Sequence, residues 1–267
     1  MILFEIHDAS YRYEFVLGYL FYYAHVKEFY IELNPELDAW SAPFILQGFV
    51  KNGRFSVDAD WSAKWVSQRI IPPDRQNLGM ILKENGMTEY DPYRLLVLSE
   101  GRCAQDDNYL VRCQETELPE YVRERKNQKI REILPMNNRK MMIFFKDDIT
   151  RCVDIQDYLK DRPVYTPILA RQELYEKARV QAGGNGITWG EGRSVASEEL
   201  RTCGAEVPIS LEDMETFVRH RVVDTTEAAN MMNCSRQYMN QLVKQGSLQP
   251  LRDISNNKLF LKGEIEG

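Results

Sequence analysis

The most constraining stretch of this 267-residue chain lies near its end, where a short turn separates two helical patterns and so forces them to pack on each other. Thr225 or Thr226 can cap a first helix over residues 227–232, in which Ala228 and Ala229 are small enough for a second helix to cross closely. Asn233 and Cys234 form the turn. Ser235 is a strong N-cap for a second helix over residues 236–245, and Gly246 can end it in the left-handed conformation. Met239, Leu242 and Val243 recur at the spacing of one helical face, leaving Arg236, Gln237, Tyr238, Asn240, Gln241 and Lys244 on the other. Residues 251–261 then read as a hairpin with Ser255, Asn256 and Asn257 at its tip and Phe260 returning to the core.

This division of faces suits a helix that reads DNA. Its inner side must grip the first helix while its N-terminal outer side offers hydrogen-bonding groups to base edges in the major groove. Arg pairs with guanine, and Gln or Asn with adenine. The candidate contact residues are therefore Ser235, Arg236, Gln237, Tyr238, Asn240, Gln241 and Lys244 on the second helix. Arg252, Asn256, Asn257 and Lys258 join them from the hairpin, where Arg252 and Lys258 can meet phosphates. Charge distribution agrees: residues 219–262 carry seven Lys/Arg against three Asp/Glu, a net +4, within a chain of net −6.

The string DTTEAANMMNCSRQYMNQLVKQGSL followed by a short hairpin resembles the winged helix-turn-helix of excisionases and MerR-type regulators over about 45 residues. Glu227-Ala228-Ala229, Cys234-Ser235-Arg236, Leu242-Val243 and Gly246-x-Leu248 fall in that family's order. One departure is that the chain stops just after Gly263-Glu264-Ile265-Glu266, so a helix that often follows the wing is absent or only begun.

At this length two or three domains are expected, with boundaries at residues 1–130, 131–208 and 209–267. The expected fold class is α+β: two small α+β modules, then the C-terminal helical unit. Apolar residues at 43% and charged residues at 28% are ordinary for a folded globular chain. No stretch approaches the roughly 18 apolar residues of a membrane span, and the acidic start lacks the basic beginning of a secretory signal. Both observations predict a cytoplasmic protein without membrane attachment. The five cysteines are scattered, without a C-x-x-C pair, and read as buried or partly buried thiols rather than disulfides or zinc ligands.

Residues 2–6 and 15–33 are β-rich. Asp60 can cap a helix bearing Trp61, Trp65 and Val66, and Pro73-Asp74 can start another that Gly86 closes. Residues 95–98 and 109–113 look like strands. The charged stretch 118–132 has high helix propensity with little apolar periodicity, which predicts a solvent-facing connecting helix. Residues 139–154 carry a hairpin signal around Lys146-Asp147-Asp148, residues 172–180 read as a helix or helical turn, and residues 187–189 as a short strand. Ser210-Leu211-Glu212-Asp213 is a capping box for a helix with Leu211, Met214, Phe217 and Val218 on one face. Residues 131–208 resemble the family called domain of unknown function 2442, through MMIFFKDDITRCVDIQDYL, the 167–179 stretch and GNGITWGEGRSVASEEL with Gly204 before Pro208. That resemblance implies a small α+β module, in some members joined to a helix-turn-helix, with a partner-binding role by analogy alone.

Other candidates weigh less. Trp189 between Gly186 and Gly190 could line a cleft but reads as a core plug. Asp106-Asp107 and Asp147-Asp148 sit at turns without a third ligand at metal spacing. Cys103 beside Arg102 lacks a histidine base within the sequence pattern, the histidines being His7, His25 and His220. The expectation is therefore a non-enzymatic bacterial DNA-binding protein without cofactor or metal. It would be a transcriptional regulator acting on double-stranded DNA as a homodimer. The alternative is a protein-interaction adapter or antitoxin-like protein, whose N-terminal body binds a protein partner.

Overall fold

A computed structural model describes residues 1–10, 15–254 and 257–266. Helices and antiparallel sheets are mixed along the chain, which is of the α+β class. It divides into two compact units, Met1–Asp147 with Arg151–Ala205, and Asp148–Thr150 with Glu206–Gly267.

The first unit opens with β1 (Ile2–Asp8), β2 (Val16–Tyr23), β3 (Glu28–Leu33), β4 (Ser56–Val57) and β5 (Asn108–Cys113), which form one sheet in the order β4-β3-β2-β1-β5. Every pairing in it is antiparallel. Six consecutive residues of β2 are buried, so both faces of the sheet are covered, and this explains why the strand reads as a continuous apolar run rather than an alternating one. On one face Phe4, Ile6, Leu20 and Ile31 pack with Phe49 of α1 (Gln47–Lys51), Trp65 and Val66 of α2 (Ala59–Ser67), and Leu96 of a later helix. Leu82 of α3 (Leu78–Glu84) joins Met87 and Leu95 in a satellite cluster.

Leu95 and Leu96 lie in α4 (Pro92–Leu98), where a strand was expected over residues 95–98. Asp91 decides the matter locally: its carboxylate accepts from the backbone N–H groups of Tyr93 and Arg94, and Pro92 sits at the first helical position. Similarly Asp58, rather than Asp60, caps α2 by accepting from the Trp61 N–H at 2.9 Å. The expected solvent-facing connector is α5 (Glu120–Asn127), and it is not a linker. Val122 and Leu118 are buried with Leu3, Tyr19, Phe21 and Tyr30 against the second face of the sheet.

The expected hairpin is present as β7 (Lys140–Phe145) and β8 (Thr150–Asp154), preceded by β6 (Ile130–Pro135) antiparallel to β7. Three short helices follow, α6 (Ile155–Leu159), α7 (Thr166–Ala170) and α8 (Gln172–Tyr175). Next come β9 (Arg179–Val180), β10 (Gly186–Thr188) and β11 (Ser194–Ala196) in a three-stranded sheet, then α9 (Ser197–Arg201) and β12 (Ala205–Glu206). The division expected near residue 130 falls inside this unit. A side chain on Gly183, which has φ +69, would place its first carbon 2.0 Å from the Tyr23 hydroxyl. Buried Glu32 of β3 meets Lys129 at 2.8 Å, with the Ser56 hydroxyl donating to Glu32 at 2.6 Å.

The second unit holds α10 (Leu211–Arg221), β13 (Val222–Asp224), α11 (Thr225–Met231), α12 (Arg236–Lys244), β14 (Arg252–Ile254), β15 (Asn257–Leu261) and α13 (Lys262–Glu266). Its sheet runs β13-β15-β14, antiparallel throughout. The Ser210 capping box forms as expected, and the Ser210 N–H and hydroxyl hold the Asp213 carboxyl below its usual range. Val223, Ala228, Ala229, Met239, Phe260 and Ile265 make the core, with Leu242, Val243 and Leu248 packed against it. Among the described residues no helix is long and apolar enough to cross a membrane.

Candidate nucleic-acid interface

The interface is built outward from α11. Asp224, not Thr225 or Thr226, is its cap: the carboxylate accepts from the Thr226 and Glu227 N–H groups at 2.6 and 2.9 Å, while Glu227 accepts from the Asp224 N–H at 3.1 Å. Thr225 instead points inward. Its hydroxyl donates to the Lys258 carbonyl at 3.3 Å and accepts from the Lys258 N–H at 3.0 Å, tying the start of α11 to the hairpin. Ala228 and Ala229 are buried, and their lack of bulk lets α12 approach.

The turn is short because Asn233 takes φ +51, a conformation asparagine tolerates better than most residues, and the Cys234 N–H donates to the Ala229 carbonyl at 2.9 Å. Ser235 then caps α12, its hydroxyl accepting from the Tyr238 N–H at 3.2 Å. At the other end Gly246, with φ +74, donates to Val243, and Ser247 donates to Leu242, closing the helix as expected. Met239 is fully buried, and Leu242 and Val243 are half-buried beside it.

That anchoring leaves Ser235, Arg236, Gln237, Tyr238, Asn240, Gln241 and Lys244 exposed. At about 100° per residue, Arg236, Asn240, Lys244, Gln237 and Gln241 fall within an arc of about 140°, one continuous polar surface. Tyr238 lies about 60° beyond it, towards Leu242, and so belongs to the edge of the surface.

The hairpin divides the remaining candidates. Arg252 and Asn257 are exposed; Asn256 lies outside the described residues, as does Ser255. Lys258 faces Asp253 across the two strands and its ammonium meets that carboxylate at 2.6 Å, with only 14% of its side chain exposed. Lys262 lies 4.0 Å from Glu266, and Arg221 3.6 Å from the same carboxylate. Among the described candidate residues, the cations without an acidic partner are therefore Arg236, Lys244 and Arg252. Sequence reading overlooked Asp253 and Glu266 as internal counterions: a tip over residues 255–257 sets 254 opposite 258, whereas the register pairs 253 with 258 and 254 with 257.

Elsewhere the other candidates are engaged structurally. Trp189 donates its ring N–H to the Tyr175 carbonyl at 3.0 Å and meets the Tyr165 ring edge-on. Asp106 pairs with the buried Arg69 and accepts from the Cys103 thiol at 3.5 Å, and Asp147 pairs with Arg201. His7 pairs with Glu5 at 2.8 Å. Burial pushes the Cys113 thiol up to about 11. Among the described residues no group of three or more His, Cys, Asp or Glu side chains could hold a metal ion.

No protein-family model, curated protein or solved structure matches this chain.

Proposed function

We propose that the second unit is a winged helix-turn-helix of the excisionase and MerR type, that α12 enters the major groove of double-stranded DNA with the hairpin as its wing, and that the protein acts as a homodimeric, cytoplasmic transcriptional regulator. The observation that carries the reading is the polar arc of Arg236, Gln237, Asn240, Gln241 and Lys244 on a helix whose opposite side is fixed in a core by Met239. A helix held that way presents donors and acceptors to base edges without further rearrangement. The resemblance of residues 131–208 to domain of unknown function 2442 fits a body that accompanies such a unit.

The test is selection of binding sites from a random DNA pool by the full chain and by R236A/Q237A/Q241A. Each good base contact contributes about 1 to 3 kcal/mol of discrimination, so the triple variant should lose site preference while keeping its circular dichroism. Unchanged preference would refute the assignment of α12.

A second reading rests on the first unit, where Trp40 and Phe44 are 94% and 89% exposed close together in sequence. Large exposed aromatics are enriched where protein partners bind, which favours an adapter whose partner is held by residues 1–205. A stoichiometric partner that survives deletion of residues 206–267 but not Trp40→Ala with Phe44→Ala would support it.

A further inference from the structure

In the first unit the turn that joins β10 to β11 and the two short helices α7 and α8 border a pocket of about 240 Å³. Its apolar lining includes buried Ile168 with half-buried Leu174 and Trp189. These walls are held by groups outside the pocket. The Trp189 ring N–H donates to the Tyr175 carbonyl at 3.0 Å, and the Tyr165 ring meets the indole edge-on. Arg139 donates to the Leu169 carbonyl at 2.8 Å and to the Gln172 side chain, which pins the junction of α7 and α8. The Tyr175 hydroxyl donates to the Lys140 carbonyl at 2.5 Å. A pocket fixed in this way is formed before a ligand arrives, which lowers the cost of binding.

Arg171, Lys177 and Arg193 also line the pocket, against the single carboxylate of Glu191. Glu191 is taken by Arg193, whose Nε donates to the Val164 carbonyl at 3.1 Å. Arg171 and Lys177 are exposed and have no acidic partner among the described residues. They stand three positions before and three after Leu174, so two unanswered positive charges flank an apolar side chain. In a chain of net −6, a concave site that is locally positive selects for anions.

The geometry points to a binding site for a small aromatic carboxylate, its ring among Ile168, Leu174 and Trp189 and its carboxylate on Arg171 and Lys177. A cavity of about 150 Å³ suffices for benzene, so one of about 240 Å³ takes a ring with a short acidic arm. The guanidinium fork of Arg171 matches the two oxygens of a carboxylate, and Glu191 opposes a second anionic group. The site belongs wholly to the first unit and does not rest on the DNA reading of the second.

The probe is 4-fluorophenylacetate, and fluorine NMR during titration of the full chain reads its binding. With about 11 non-hydrogen atoms it should bind with a dissociation constant on the order of 0.5 mM. R171Q/K177Q should bind it at least about 10-fold more weakly, and the neutral 4-fluorophenylacetamide should bind wild type at least about 10-fold more weakly than the acid does. Inorganic phosphate at about 10 mM should leave the probe in place, because it has no ring for the apolar walls. Absence of saturable binding to about 5 mM overturns the inference, and so does an acid that binds no better than the amide. A double variant that binds as wild type does, or displacement of the probe by phosphate, overturns it equally. If R171Q/K177Q loses its circular dichroism, Lys177→Glu takes its place with the same expectation, and undiminished affinity in that variant overturns the inference.

Discussion

Arg252→Gln and the double substitution D253N/K258Q each remove one lysine or arginine from the same hairpin, yet they should affect DNA binding very differently. Arg252 is exposed and no acidic side chain among the described residues pairs with it, whereas Lys258 is already neutralised by Asp253 at 2.6 Å. With Arg236, Lys244 and Arg252 free, one module neutralises about three phosphates, which gives a slope of log K against log salt of about −2.7. Two modules give about −5.4, so that raising salt fourfold weakens binding about 2,000-fold for a dimer against about 40-fold for a monomer. Arg252→Gln should make the dimer slope less steep by about 1.8, and D253N/K258Q should leave it within about 0.3 of wild type. Repulsion from acidic groups elsewhere in the chain is common to all three proteins and cancels in the differences. Fluorescence anisotropy with a labelled duplex at four or more salt concentrations measures the slopes. Equal changes for the two variants would show that the Asp253–Lys258 pair opens on DNA and that the count of free cations is wrong; a change near 0.9 for Arg252→Gln would mean that one module binds.

Two further predictions concern stability and exploit the placement of all four tryptophans, Trp40, Trp61, Trp65 and Trp189, in the first unit. Met239→Ala empties the centre of the second unit's core and should cost about 2 to 5 kcal/mol, most of what so small a unit has. DNA binding and part of the helical circular dichroism should be lost while the tryptophan-detected urea transition stays put; a shifted tryptophan transition would contradict the division into units. Glu32→Ala strands Lys129 in the interior and takes one partner from Arg125, and should destabilise the first unit by about 3 to 5 kcal/mol, whereas E32L/K129M, which leaves Arg125 its bond to the Leu33 carbonyl, should stay within about 2 kcal/mol of wild type. Equal losses in the two variants, read by tryptophan fluorescence, would refute the buried pair's role.

How much of this could be read from the sequence depended on how local each decision was. The caps at Ser210 and Ser235, the left-handed stop at Gly246 and the inward faces of α12 and β15 rest on groups within a few residues of one another, and the sequence predicts them in place. Residues 95–98 were misassigned because a buried apolar run has no period of its own, and the deciding signal, Asp91-Pro92, lies upstream of the run. The burial of α5 was invisible for a different reason. Its one fully buried side chain, Val122, packs on a strand face that belongs to residues about a hundred positions earlier. In the candidate site the polar arc of α12 follows from helical periodicity, but the pairing of Lys258 with Asp253 required strand register as well.

The Tyr23 hydroxyl has a consequence for inheritance. Because it fills the space that any side chain on residue 183 would need, residue 183 can gain a side chain only where residue 23 gives up its hydroxyl or moves it. A recombination crossover near residue 130 would part them, and a chimera that met a bulkier residue at 183 would have to move either β2 or the turn before β10. A crossover near residue 206 instead parts the Val207 N–H from the Thr150 carbonyl, which it meets at 3.0 Å, a backbone contact that does not depend on side-chain identity. The close approach of residues 23 and 183 thus ties the two ends of the first unit into one heritable block.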